Sequence, residues 1–94
     1  MNIDGILWLP DVLEKVAVKH GVAQAEAEDV FFDDPRYRFV ETGYRQGEDV
    51  YAVFGHTEGG RYVVVFFILK PYGEALILSA RDMDVRERRL YERK

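Results

Sequence analysis

The sequence predicts an α+β fold: a four-stranded antiparallel sheet with two N-terminal helices and one C-terminal helix. Three observations carry this expectation. Apolar residues recur at helical spacing as far as residue 32. From residue 36 the period falls to two, and short turns, two of them with glycine, separate the last three strand-like runs. After Asp84 the chain returns to a charged helical pattern.

The first helix is expected over Pro10–His20. Pro10 suits a first helical turn, and Gly21 supplies a left-handed stop. Val12, Leu13, Val16 and Ala17 form one apolar face, while Lys19 and His20 complement the macrodipole in the last turn. A second helix is expected over roughly Ala23–Phe32, ended by Asp33-Asp34-Pro35, because the residue before proline avoids helical torsions. Strands follow at Arg36–Glu41, Val50–Thr57, Arg61–Lys70 and Ala75–Arg81. In the first of them Tyr37 and Phe39 fall on one face and Arg36 and Arg38 on the other. Thr42–Asp49 is a polar connection, Glu58–Gly60 a glycine hairpin turn and Pro71–Glu74 a second turn. Consecutive strands with short turns imply an antiparallel meander. The third helix starts at Asp82 or Asp84, where Asp84 to Glu87 resembles a capping box. Met83, Glu87, Leu90 and Tyr91 fall near one side of it, and Arg86, Arg89 and Arg93 near the other.

The chain of 94 residues is read as one domain, 1–94, in the size range that folds without staples. It has no cysteine, hence no disulfide framework or thiolate metal site. His20 and His56 show no metal-ligand spacing, so neither metal nor cofactor is expected. The N-terminus lacks a signal-peptide pattern, and the longest apolar run, Tyr62 to Leu69, is too short to span a bilayer, so a cytoplasmic protein is expected. The net charge is −4, unevenly spread. Residues 1–34 carry eight acids and two bases, residues 35–80 five of each, and residues 81–94 four acids and six bases. A local basic site is compatible with this balance; a broad footprint for long duplexes is not.

Several residues invite two readings. Arg81 at the end of the fourth strand is either a surface cation bridged to the last helix or a guanidinium fork aimed at phosphate. Arg61 is either a solubilising hairpin-end charge or the second half of that anion site, since the start of its strand lies beside the end of Ala75–Arg81. Lys19 and His20 make an ordinary helix C-terminus. Glu48 is a loop carboxylate. Tyr62, Phe66 and Phe67 read first as core and second as stacking platforms for bases.

Taken in order, these pieces resemble the BrnT family of toxins from type II toxin–antitoxin systems. The resemblance rests on Trp8–Pro10, "KHGV" at Lys19–Val22, "EDVFFDDP" at Glu28–Pro35 and "GED" at Gly47–Asp49. It continues through "GHTEGGRYVVVFF" at Gly55–Phe67, "LSAR" at Leu78–Arg81 and "ERRLY" at Glu87–Tyr91. The chain looks like a divergent branch. Family members often carry Asn shortly before the "KHG" lysine, where Val16 and Ala17 stand, and Arg after "GE", where Val50 stands. They often read "YT" at Phe66-Phe67 and carry Arg near Ala75 and Leu76.

The resemblance implies a RelE-like fold and a ribonuclease that stops translation. It also implies a BrnA-like antitoxin with a dimeric ribbon-helix-helix DNA-binding part, and a homodimer or a toxin–antitoxin heterotetramer. Lys19, Arg61 and Arg81 match basic positions expected in the active region. His20, Glu48, Glu87, Arg88 and Tyr91 match motif positions. The implied chemistry needs no metal: the RNA 2′-OH attacks the adjacent phosphate, a base takes its proton, and an acid protonates the leaving 5′-oxygen. Arg61 and Arg81 would hold the phosphate, so losing either should abolish toxicity with the fold intact. Lys19 would add charge or act as base, with Glu48 the alternative base and Tyr91 or His20 the acid; His20 and Arg88 would bind RNA. The rival expectations are a non-catalytic module docking a protein or RNA, and an orphan protein without an antitoxin.

Overall fold

In the computed structural model, which describes residues 1–93, the elements run in order as follows. They are β1 Gly5–Leu7, α1 Pro10–His20, α2 Gln24–Asp29, β2 Arg36–Glu41, β3 Val50–His56, β4 Tyr62–Leu69, β5 Glu74–Asp82 and α3 Val85–Glu92. Local chemistry sets the helix ends. Gly21, at φ 64°, donates its N–H to the Ala17 carbonyl while Val22 donates to Val16 (3.3 Å), closing α1 in a left-handed turn. α2 is shorter than expected, because beyond Asp29 the chain tightens into i→i+3 bonds, Phe31 to Glu28 and Phe32 to Asp29. Ala23 offers no side-chain cap, so only half a capping box forms: Glu26 Oε1 accepts from the Ala23 N–H at 3.0 Å. α3 has the full box, with Asp84 accepting from the Glu87 N–H (2.8 Å) and Glu87 from the Asp84 N–H (2.9 Å).

The sheet order is β1-β5-β4-β3-β2, so the expected four-stranded antiparallel sheet is corrected to a five-stranded mixed one. β2, β3, β4 and β5 form the expected antiparallel meander. The strand that sequence reading missed is β1, which pairs in parallel with β5 at Gly5↔Glu74, Ile6↔Ala75 and Leu7↔Leu76. Three residues are too few to show alternation, and what holds them is a partner far along the chain rather than a neighbouring turn. Asp4 extends the pairing by donating its N–H to the Gly73 carbonyl at 2.8 Å.

Register divides the sheet into two faces. Val53, Val63, Val65, Phe67, Ala75, Ile77 and Ala80 point to the face covered by α1 and α2, where they meet Val16, Val22, Ala27, Val30 and Phe31 in one core. Phe67, fully buried, is the hub of an aromatic cluster, with ring centroids 5.3 Å from Phe31, 6.0 Å from Tyr51 and 6.2 Å from Tyr37. Gly55 is required here: a Cβ at this position would lie 2.8 Å from the Val30 carbonyl oxygen. The opposite face carries Arg36, Arg38, Phe54, His56, Tyr62, Phe66 and Arg81, and α3 covers part of it. Among the described residues no helix is long and apolar enough to cross a membrane.

Candidate functional site

The two arginines expected to converge do not. Arg81 is paired with Val64, so it shares the face of Phe66, while Asp82 is paired with Val63 and shares the core face. Arg61 goes with Asp82. Its Nε and Nη2 donate to the two Asp82 carboxylate oxygens (2.6 and 3.1 Å), and Nη1 donates to the Gly21 carbonyl (2.8 Å) and to Glu26 (3.2 Å). Nη2 also reaches the His20 carbonyl at 3.5 Å. Every guanidinium nitrogen of Arg61 is engaged in tying the C-terminus of α1 to α2 and β5. These bonds hold Arg61 above the ordinary arginine range and Asp82 below the ordinary carboxylate range, the hydrogen bond between them being the largest cause of both.

The anion between two arginines exists elsewhere, and it is protein. Arg81 Nη1 and Nη2 donate to Glu87 Oε1 and Oε2 at 2.7 and 2.9 Å, a fork-to-fork pair joining β5 to α3. The hydrogen bond from Arg81 is the largest cause holding the Glu87 carboxyl below its usual range; the capping bond and the charges of Arg81 and, from β2, Arg38 act in the same sense. The cations that meet on this face are therefore Arg38 and Arg81.

Around them lies a surface of cations interleaved with rings. Arg38 stands over Phe54 (5.6 Å to the centroid), Arg81 over Phe66 (5.4 Å) and Arg88 over Tyr62 (4.1 Å). A cleft of about 180 Å³ opens between β2 and α3, lined by Arg36, Arg38, Phe54, Glu87 and Tyr91 among others. Beside Tyr62 and Tyr91 sits His56, whose Nδ1 is 3.1 Å from Asp33 Oδ2 and whose ring meets theirs edge-on at 6.2 and 6.3 Å. An imidazole whose Nδ1 is oriented by a carboxylate can exchange a proton through Nε2.

The residues expected to be functional thus fall in three places. Arg81, Arg88 and Tyr91 lie on this face. Tyr91 is buried, donates its hydroxyl to the Asp34 carbonyl (2.9 Å) and is raised above the ordinary phenol range by burial, so it anchors α3 on the sheet. Arg61 and His20 lie at the α1 corner, with exposed Lys19 on the same last turn of α1. Glu48 sits in the β2–β3 loop beside Val50, at the other end of β3 from His56 and about 20 Å away along the strand. Sequence reading missed Arg36, Arg38 and His56 with Asp33. The alternation in β2 had placed both arginines on one face, but only the register with β3 and the seat of α3 show what they face. Among the described residues no group of three or more histidines and carboxylates gathers as a metal site.

A family model described as the ribonuclease toxin BrnT of type II toxin–antitoxin systems matches residues 8–87. The chain belongs to the BrnT family. No curated protein matches it significantly. As a BrnT toxin the chain has RNA as its substrate class and an antitoxin as its partner. Three positions where the resemblance implied other residues, Val16, Phe67 and Ala75, are fully buried in the core. Phe66 is different, since it lies on the other face beneath Arg81.

Proposed function

We propose that this BrnT chain cleaves RNA without a metal, on the face of the sheet shared by β2, β5 and α3, and thereby blocks translation in the cytoplasm. The observation that carries the reading is the His56–Asp33 pair set among Tyr62, Tyr91 and Arg88. His56 moves the proton of the attacking 2′-OH or of the leaving 5′-oxygen, and Asp33 fixes its tautomer. Arg38 and Arg81 supply the charge that meets the phosphate, which competes with Glu87 for the Arg81 fork. The half-buried rings of Phe54 and Phe66 offer their remaining open surface to stack bases without demanding a sequence. Lys19, Glu48 and Arg61 stand outside this face, and the reading gives them no chemical step. A BrnA-like antitoxin with a ribbon-helix-helix part neutralises the toxin, within a heterotetramer, by covering the same cations.

The test is cleavage of a labelled RNA by purified chain in EDTA, wild type beside His56→Gln, Asp33→Asn and Arg81→Ala, with folding checked first. Wild type should leave a 2′,3′-cyclic phosphate end, and a 2′-deoxy substitution at the cut should block it. His56→Gln should lose about 10²–10⁴-fold, the usual worth of a positioned acid or base. Full activity in His56→Gln would return the proton transfer to another group. RNA left intact by folded wild type, with or without magnesium, would replace catalysis by a docking module.

A further inference from the structure

We infer that the open edge of β2 is where an extended acidic segment of the protein partner docks, adding itself to the sheet as a sixth strand. The inference rests on the toxin–antitoxin reading and names how the partner engages. β2 ends the sheet, so one side of its backbone has no strand beside it among the described residues. Five of its six residues are exposed, and only Tyr37 is half-buried. The opposite edge, β1, offers three residues where β2 offers six. Unpaired N–H and C=O groups along such an edge are a template for another chain, and peptide recognition by strand addition uses them.

The side chains state what that chain must carry. On one face of the edge are Arg36 and Arg38, both lining the cleft below α3. On the core face Phe39 is 52% exposed. A strand alternating carboxylates with apolar residues would place acids on the arginines and apolar side chains on Phe39, because directly opposed residues share a face. A second copy of this chain fits poorly. Antiparallel self-pairing centred on Arg38 sets the two Arg38 side chains against each other, and centring on Tyr37 sets Arg36 against Arg38. Centring on Phe39 runs into the register shift between Phe39 and Glu41. The edge is open to an acidic foreign strand and blunted against its own copy. Carboxylates seated there occupy Arg36 and Arg38, so docking and blocking of RNA become one event.

The probe is a fluorescein-labelled peptide, Glu-Val-Glu-Val-Glu-Ile with Gly-Ser flanks, titrated into the whole chain by anisotropy. Two further peptides carry N-methyl groups on one or the other alternate set of amides. Only one set of N–H groups faces the neighbour in strand pairing. One methylated peptide should therefore lose about tenfold or more in affinity while the other binds like the parent. Arg36→Ala/Arg38→Ala should weaken the parent about tenfold and flatten its salt dependence. The alternate amides of residues 36–41 that face away from β3 should gain protection from hydrogen exchange. The inference is overturned if the folded chain ignores the peptide, or if both methylated peptides bind like the parent. It is equally overturned if the chain alone is a dimer with those amides already protected. RNA cleavage measured on the same sample separates the two ideas: a chain that cuts RNA but ignores the peptide refutes the docking alone, and one that binds the peptide but leaves RNA intact refutes the nuclease reading alone.

Discussion

Arg61 and Arg81 lie near the same end of neighbouring strands, yet they do opposite work because the sheet lies between them. Arg61 is spent inside the fold: two carboxylates and two carbonyl oxygens at the end of α1 use all its nitrogens. Arg81 meets one side-chain carboxylate, Glu87, and lies over the half-exposed ring of Phe66 with Arg38 acting on the same carboxylate. A cation whose acceptors are backbone carbonyls cannot be lent to a ligand without unmaking a helix end. A cation whose fork is held by one side-chain carboxylate, with a single further bond to the Asp82 carbonyl (3.1 Å), can exchange that carboxylate for phosphate and leave every helix end intact. One residue of sequence parity, Arg81 against Asp82, decides which side each serves.

The largest difference should appear in RNA cleavage. Arg81→Ala is expected to lose about 10²–10³-fold in rate, the cost of one charge-stabilising donor. Arg81→Lys should recover only part of it, because an ammonium keeps the charge and loses the fork. Arg61→Ala should instead act on folding. Losing charge-assisted hydrogen bonds costs about 1–3 kcal/mol, toward the lower end at a partly exposed site. That corresponds to a melting temperature lower by about 4–8 °C per kcal/mol in a domain this size. The folded fraction of Arg61→Ala should cut RNA as wild type does. Cleavage lost from a thermally intact Arg61→Ala would reverse the comparison and restore the expectation drawn from sequence.

The meander was legible because its signals are local. Alternation in Arg36–Glu41, glycines at Gly59 and Gly60 and the capping pair Asp84 and Glu87 each act within a few residues. β1 was not legible, since Gly5–Leu7 exists only through its pairing with Glu74–Leu76. The same division runs through the site. "LSAR" marked Arg81, but which face it serves depends on the register of β4 and β5, interrupted by a shift between Phe66 and Phe67. His56 stood in "GHTEGG" with no role attached to it, and it becomes a candidate only when the turn after α2 brings Asp33 to it.

Acid should separate the two clamps more gently. Asp82 and Glu87 are both held below the usual carboxylate range, first by the hydrogen bond from their arginine. A depressed folded pKa means the stabilisation is complete above the unfolded value, near 4–4.5, and is lost as pH falls through the folded values. The Glu87 side chain is 21% exposed and that of Asp82 60%, so the Arg81 pair is the less screened. Denaturation midpoints followed from pH 6 to 2 should therefore fall in wild type below about pH 4.5. Arg81→Met should flatten that fall more than Arg61→Met does. The reverse order would mean that Arg61 holds the stronger pair despite the exposure of Asp82.

The smallest effects are expected at Lys19 and Glu48, and they bound the comparison from below. Lys19 is exposed on the last turn of α1, where a cation favours the helix dipole by about 0.3–1 kcal/mol. Arg61 already supplies positive charge and donors to that helix end, reaching the Gly21 and His20 carbonyls. Lys19 is therefore partly redundant, and Lys19→Ala should shift stability by no more than about 0.5 kcal/mol. Glu48 lies in a loop at the far end of β3 from His56, so Glu48→Ala should leave cleavage intact. Measured together in the RNA assay, the two variants test the choice of face itself. If Lys19→Ala alone removed cleavage, the chemistry would sit at the α1 corner. The constellation of Arg38, His56 and Arg81 would then be left to bind the antitoxin alone.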